Sequence, residues 1–281
     1  MLTVNLTTTS QRLGLCRIAL TSLLMQTRLP DQINLWVSCK PHLSDTGLSK
    51  SQTTDFLINT IPEISKTEIS IRWTPNTGPY RKLIPMLRQA SPEDIFVTAD
   101  DDIFYGKDWL LHLTKTYNES GGKPVACRVR SINKNLFGVT ASYLHWKLIE
   151  KPITVDRDYI ITFGGGAVLT RQMFKESDIY NDAYLELAPT SDDLWYSKLL
   201  QNNNNEIVVI PSLLEQLYFI NHNDGLENIN WPTTQTFSNK VKRYLWSNIA
   251  GAAGFTACEN DIAYRKIHSY FSNQNKETPC K

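Results

Sequence analysis

The stretch "DIFVTADDDIFYGKDW", residues 94–109, decides the fold of this chain. Residues 94–100 are apolar at successive positions, which is typical of a strand buried on both faces of a parallel sheet. Three adjacent acidic residues, Asp100, Asp101 and Asp102, stand at the end of that strand. Like charges this close repel one another, and open α/β sheets bind ligands at the carboxyl ends of their strands. The sequence therefore predicts a cation beside the triplet.

The segments around this stretch predict an α/β protein. Residues 2–8 alternate as a strand does, and residues 13–23 carry apolar side chains at helical spacing before a second strand at 32–38. This order is typical of parallel strands joined by a crossover helix. We predict further strands at 68–74, 94–100, 124–132 and 206–211, and helices at 55–64, 81–90, 108–118 and 191–201. The helix at 81–90 is expected to kink at Pro85.

Composition excludes several classes of protein. The chain has 281 residues, 41% of them hydrophobic, and a formal net charge of +1. This length suits one large domain or two small ones, and the balanced charge gives no indication of nucleic acid as a partner. None of the five cysteines has the C-x-x-C spacing of a zinc or redox site. Without a signal-like segment or a long apolar run, we expect a cytoplasmic protein with free thiols.

The acidic triplet suits a hard divalent cation. Alternation along a strand end predicts that Asp100 and Asp102 lie on one side and Asp101 on the other. Mg²⁺ or Mn²⁺ takes oxygen ligands and commonly binds through one or two carboxylates together with substrate phosphates. The alternative is an exposed acidic turn that caps the helix beginning near Asp108.

Other segments carry candidate functional side chains. Arg81 and Lys82 follow a turn at 76–80 and are either phosphate-binding cations or part of a solvated helix start. A glycine run at 164–166 either permits close approach to a ligand or bends a strand. Asp192 and Asp193 open a helix, where they supply a catalytic base or merely complement the helix dipole.

These segments together carry a family resemblance. "VNLTTTSQR" (4–12), the D-x-D triplet at a strand end, "FGGGAVL" (163–169) and "PTSDDLWYSKLL" (189–200) occur in this order. With residues 20–38 and 76–87, they resemble the metal-dependent glycosyltransferases of the GT-A fold, and family-2-like bacterial sugar transferases in particular. The resemblance spans roughly residues 3 to 220. It implies a Rossmann-like α/β/α sandwich with a mostly parallel central sheet, followed by a C-terminal helical extension.

The resemblance also implies an activity and a set of site residues. The reaction would be inverting transfer of a sugar from a nucleotide-diphosphate-sugar, such as a UDP-sugar, to an acceptor hydroxyl. Asp102 and Asp100 would bind Mn²⁺ or Mg²⁺, with His222 as a further ligand unless it is an ordinary surface or core residue. Asp193 would be the base with Asp192 beside it, although the pair leaves open which of the two acts. The residues expected near the donor are Thr8, Arg12, Arg81, Lys82, Asp100, Asp101, Gly165 and Gly166.

The tail is not covered by the resemblance. We predict a catalytic domain at 1–230 and an extension at 231–281, whose basic and aromatic stretch at 240–255 either packs as a helix or lies on the inner face of the cell membrane. The expected acceptor is a glycan or lipid-linked glycan, in O-antigen or other surface polysaccharide synthesis. One alternative is a nucleotidyltransferase on a related fold, which usually has a glycine-rich phosphate loop after the first strand, whereas "TTTSQRLG" here offers only Gly14. The other is a non-catalytic nucleotide- or glycan-binding domain.

Overall fold

The structure, a computed structural model, describes residues 1–221 and 250–277 and is built on an eight-stranded central sheet. Its strand order is β3-β2-β1-β4-β11-β6-β12-β9. The neighbours β3, β2, β1 and β4 are parallel, β11 runs antiparallel between β4 and β6, and β12 is parallel to β6. The strands of this sheet are β1 (Leu2–Thr7), β2 (Gln32–Val37), β3 (Glu68–Trp73), β4 (Ile95–Thr98), β6 (Val125–Ala126), β9 (Ile153–Val155), β11 (Ala167–Thr170) and β12 (Ile207–Val209).

Two smaller sheets flank the central one. A three-stranded sheet has the order β10-β7-β8, and a two-stranded ribbon joins β13 to β5. Their strands are β5 (Ile103–Tyr105), β7 (Val129–Ser131), β8 (Lys147–Leu148), β10 (Tyr159–Ile161) and β13 (Leu217–Phe219). Each small sheet contains a strand close in sequence to a candidate segment: β5 follows residues 100–102, and β10 precedes residues 164–166.

Helices cover both faces of the central sheet. Strand β4 shows why, because its consecutive residues Phe96 and Val97 are fully buried in two different apolar clusters. One cluster includes side chains of α1 and α3, and the other includes side chains of α2, α6 and α7. The α-helices are α1 (Leu13–Leu24), α2 (Ile84–Gln89), α3 (Trp109–Glu119), α4 (Glu176–Ile179), α5 (Tyr184–Leu187), α6 (Asp192–Asn202) and α7 (Glu259–Glu277). The predicted α/β/α sandwich with a mostly parallel sheet is confirmed.

Three predicted elements differ in detail. The segment at 81–90 divides into a 3-10 turn, Gly78–Lys82, and α2, where Pro85 lies in the first turn and causes no kink. The strand predicted at 124–132 is two strands, β6 and β7, which belong to different sheets. The helix predicted at 55–64 is a π-helical turn, Gln52–Leu57, followed by a 3-10 turn, Ile58–Thr60.

The C-terminal helix shares the core of the preceding residues. Ala263, Ile267 and Phe271 of α7 are buried in the same cluster as Trp195 of α6, so Trp195 is a core residue. The predicted boundary at 230 and the basic residues at 240–243 lie outside the described residues. No described helix is long and apolar enough to cross a membrane.

Candidate functional site

The sheet brings three segments together at one edge. Strands β1 and β4 are parallel, so Thr8 and the acidic triplet both follow carboxyl ends. Strand β11 runs antiparallel to β4, so the glycine run that precedes Ala167 lies at the same edge. Ligands of open α/β sheets bind at this position.

Protein cations neutralise the triplet. Arg12 lies 2.5 Å from Asp101 Oδ1 and 2.6 Å from Asp102 Oδ2 through Nη2. Thr8 donates its hydroxyl proton to Asp101 Oδ2 over 2.6 Å. Burial raises the pKa of Asp101 to about 6, although Arg12 opposes the shift. Asp101 is thus a buried anchor for the loop after β1.

Lys82 holds the third carboxylate. Its Nζ donates to Asp100 Oδ1 over 2.8 Å and lies 3.2 Å from Asp192 Oδ2. Burial opposes ionisation of Asp100, yet the adjacent Lys82, with Arg12 and Arg128 adding to it, holds the pKa of Asp100 below its usual value. Lys82 itself is buried. One ammonium group therefore joins the triplet to the start of α6.

This grouping differs from the alternation argument. Asp101 and Asp102 share Arg12, whereas Asp100 faces Lys82. The reason is that β4 ends at Thr98, so the triplet lies in a turn and strand alternation does not govern it. The carboxylates of the triplet pair with Arg12 and Lys82. Asp108, the residue before α3, accepts a hydrogen bond from the Thr27 hydroxyl.

The two acidic residues of α6 have different surroundings. Asp192 is buried against Lys82, whereas Asp193 is partly exposed and accepts a hydrogen bond from the Phe163 N–H over 3.0 Å. Burial and then the neighbouring Asp192 raise the pKa of Asp193 to about 7. Both residues also stand in the first helical turn, as the dipole argument predicts. Of these two residues, Asp193 is the one whose carboxylate is accessible.

The glycine run is packed tightly at each position. A Cβ at Gly164 would overlap Asp100 Oδ2, a Cβ at Gly166 would overlap the Trp109 ring, and one at Gly165 would lie 2.8 Å from Arg128 Cβ. The member that faces the triplet is therefore Gly164. Gly165 and Gly166, which were predicted to lie near a donor, adjoin Arg128 and Trp109.

Arg81 is engaged away from the triplet. Its guanidinium donates to Asp45 Oδ2 over 2.9 Å, to the Thr8 carbonyl over 3.2 Å and to the Gly78 carbonyl over 3.2 Å. The side chain is buried. The predicted contact of Arg81 with a donor would require these bonds to break.

Sequence reasoning missed Tyr105. Its hydroxyl accepts a hydrogen bond from the Asp100 N–H and donates one to the Gly164 carbonyl, each over 2.7 Å. The side chain is buried. Tyr105 thus fastens the triplet to the glycine run. An aromatic residue after an acidic turn carries no sequence signal for this role.

A divalent cation fits the outer side of the triplet. The side chains of Asp100 and Asp102 are 36% and 25% exposed, whereas that of Asp101 is 6% exposed and faces Arg12 and Thr8. Two partly exposed carboxylates match the Mg²⁺ preference for few protein ligands plus phosphate, and a bound cation would share them with Lys82 and Arg12. Across residues 1–221 and 250–277, no group of three or more His, Cys, Asp or Glu side chains is arranged to hold a metal. His222 lies outside the described residues.

Comparison with known proteins identifies the fold. No known family and no curated protein sequence matches the chain. Residues 1–349 of S. aureus TarS resemble it with a TM-score of 0.52 and 18% identity, over 98% of this chain and 73% of that one. TarS 1–349 in complex with UDP gives 0.47 and 18% over 75% and 57%. The 4-diphosphocytidyl-2C-methyl-D-erythritolsynthase of Anaerococcus prevotii gives 0.44 and 13% over 75% and 86%. The chain therefore shares the mixed α/β fold of TarS 1–349.

Proposed function

We propose that this chain is a glycosyltransferase that moves a sugar from a nucleotide-diphosphate-sugar, with a UDP-sugar as the expected donor, to an acceptor hydroxyl. One observation carries the proposal: Lys82 bridges Asp100, at the carboxyl edge of the sheet, and Asp192, beside the partly exposed Asp193. An electrophile bound at the triplet would therefore lie close to a carboxylate that can accept a proton.

Asp193 is the base in this proposal. A base works best when its pKa is near the working pH, and burial with Asp192 raises the pKa of Asp193 to about 7. The Phe163 N–H fixes one carboxylate oxygen. Asp192 is turned toward Lys82 and acts by orienting the helix start and by raising the pKa of its neighbour. This assigns the two acids separate roles and supports an inverting reaction.

In this proposal the residues around the acidic triplet bind and stabilise the leaving group. Asp100 and Asp102 would hold a divalent cation, which when bound neutralises the negative charge of the departing nucleoside diphosphate. Arg12 and Lys82 add positive charge within the same edge of the sheet. Thr8 and Asp101 keep Arg12 oriented, and Tyr105 fixes Asp100 against Gly164.

The first experiment is calorimetric titration with UDP, GDP, CDP and TDP, in the presence of Mn²⁺ and again with EDTA. We expect one nucleotide to bind with Mn²⁺ and to lose its affinity with EDTA. Asp193→Asn should retain that binding and lose transfer by a factor of about 10²–10⁴. Asp156→Asn is the matched control, because Asp156 is exposed and pairs with Arg157.

Two results would contradict the proposal. If no nucleotide binds under either condition, the triplet is a structural acidic turn, or the chain is a binding protein for another ligand. If the chain releases pyrophosphate from a nucleoside triphosphate and a sugar 1-phosphate, it is the nucleotidyltransferase that the sequence left as an alternative. The proposed setting, synthesis of a surface polysaccharide or lipid-linked glycan in the cytoplasm or at the inner membrane face, follows from the family resemblance.

A further inference from the structure

Two arginines near the candidate base form no ion pair with a carboxylate of the described residues. Arg128 lies in a bend just before β7, and Arg130 lies within β7 two residues further along the chain. Among the described residues, neither guanidinium forms an ion pair with Asp or Glu. A partly buried arginine is costly to keep without a counter-ion, and residues 1–221 and 250–277 supply none to this pair.

The backbone ties Arg128 to the site. Thr162 donates both its N–H and its hydroxyl to the Arg128 carbonyl, each over 2.9 Å. The next residue is Phe163, whose N–H holds Asp193. The Arg128 guanidinium lies 5.3 Å from the centre of the Phe219 ring, which leaves its edge donors available.

Arg130 follows two residues after Arg128 and contacts the segment at 143–146. Its Nη1 donates to the Trp146 carbonyl over 2.7 Å, and its guanidinium lies 5.6 Å from the centre of the Tyr143 ring. Its Nε is buried and has no hydrogen-bond acceptor within the described part of the chain. Burial and then Asp193 raise the pKa of Tyr143 to about 12 while Arg130 and Arg128 oppose the shift, so the Tyr143 hydroxyl lies within electrostatic reach of all three.

The C-terminal helix α7 is hydrogen-bonded to the segments that carry Tyr143 and the acidic pair of α6. Asp261, in the first turn of α7, accepts hydrogen bonds from the Ser142 hydroxyl over 2.7 Å and the Tyr143 N–H over 2.6 Å. Ser191, just before the acidic pair, donates to Asn260 over 2.7 Å. The segment that carries Tyr143 and the start of α6 are therefore both hydrogen-bonded to the first turn of α7.

We propose that Arg128 and Arg130 form an anion-binding site beside Asp193, and that the acceptor substrate carries a phosphate group bound there. Two guanidinium groups offer two forks of donors, which suits the several oxygens and the charge of about −1.5 to −2 of a phosphate monoester better than the two oxygens of one carboxylate. The acceptor assignment rests on the proposed function, whereas the anion site does not.

Binding of small probes tests the site. Three probes are titrated: glycerol phosphate, malonate and glycerol. The proteins are the unmodified chain, Arg128→Gln, Arg130→Gln and a control, Arg157→Gln. Arg157 suits the control because its side chain is 79% exposed. We expect glycerol phosphate to bind the unmodified protein and the control equally, with its dissociation constant raised tenfold or more in both site variants. Glycerol should not bind, and malonate should bind more weakly than glycerol phosphate.

Each contrary result overturns a defined part of the proposal. If Arg128→Gln binds glycerol phosphate as the unmodified protein does, there is no anion site. Tighter binding of malonate overturns the phosphate assignment. A tenfold loss of nucleoside diphosphate affinity in both Arg128→Gln and Arg130→Gln would place the arginines on the donor. If Arg130→Gln does not fold, Arg128→Gln and Arg130→Lys decide.

The same titrations separate this inference from the proposed function. If no nucleoside diphosphate binds the unmodified protein while glycerol phosphate binding still depends on Arg128, the anion site stands and the transferase proposal fails. If a nucleoside diphosphate binds with Mn²⁺ but no variant changes glycerol phosphate binding, the transferase stands and the anion site fails.

Discussion

Lys82 Nζ lies 3.2 Å from Asp192 Oδ2, at the start of α6. The same nitrogen donates to Asp100 over 2.8 Å. One buried cation therefore stabilises carboxylates that come from opposite halves of the sequence. Because both sides of the candidate site depend on it, Lys82 links the stability of the fold to the geometry of the site.

Replacing Lys82 with methionine should destabilise the protein strongly. The change leaves Asp192 buried without its cation, and loss of one member of a buried pair costs about 3–5 kcal/mol. Because the Asp100 side chain is 36% exposed, its share is screened, and we expect about 3 kcal/mol. Urea unfolding at neutral pH measures the loss.

Lys123→Met is the matched control for that variant. Lys123 pairs with Glu206, and both side chains are about half exposed. Exposed pairs contribute about 1 kcal/mol or less, so the free energy of unfolding should barely change. Equal losses in the two variants would mean that burial of Lys82 confers no special stability.

The pH dependence of transfer should report Asp193. Burial and Asp192 raise the pKa of Asp193 to about 7, and only the deprotonated carboxylate accepts the acceptor's proton. Below this pKa, kcat/KM should fall about tenfold per pH unit, and above it the value should level off. A profile that stays flat between about pH 5 and 8 would exclude Asp193 as the base.

The stability of the fold should show the opposite trend with pH. The pKa of Asp193 rises from 3.8 to about 7 on folding, so between these values the folded state binds more protons than the unfolded state. Stability from this group is therefore lost as pH rises from about 4 to about 7, and is constant above that. Asp193→Asn should remove this part of the slope when free energies of unfolding are compared across pH. An unchanged slope would contradict the raised pKa.

The elements near the centre of the sheet could be predicted from sequence, and the contacts between them could not. The apolar run at 94–100 predicted β4 because a strand buried on both faces has that pattern. The ion-pair partner of the triplet could not be predicted in this way, since Arg12 reaches Asp101 only after β1 and β4 have paired. The division of 124–132 into two strands left no periodic signal, so Arg128 and Arg130 were not recognised.

Tyr105→Phe should weaken the site more than the fold. Its hydroxyl joins the Asp100 N–H to the Gly164 carbonyl, and both groups lose a buried partner when it is removed. Loss of such bonds costs about 1–3 kcal/mol in unfolding free energy. Because Asp100 is freed from Gly164, nucleoside diphosphate affinity with Mn²⁺ should fall about tenfold by calorimetry. The control is Tyr218→Phe, whose side chain is exposed; equal losses of affinity would refute the positioning role of Tyr105.

Gly166→Ala should be among the most damaging single changes in the glycine run. Gly166 has φ near +105°, a conformation that L side chains rarely adopt, and its new Cβ would overlap the Trp109 ring. That ring is buried and its Nε1 donates to the Gly165 carbonyl over 2.9 Å, so it cannot move away freely. Strain and overpacking together should lower the free energy of unfolding by about 3 kcal/mol.

Gly14→Ala provides the contrast. Gly14 lies in the first turn of α1, and an added Cβ there would meet no atom of residues 1–221 or 250–277 within 4 Å. Since alanine is favoured over glycine in a helix by up to about 1 kcal/mol, this variant should be neutral or stabilised in the same urea titration. If Gly166→Ala proves as stable as Gly14→Ala, then the contact between the glycine run and Trp109 does not constrain the site.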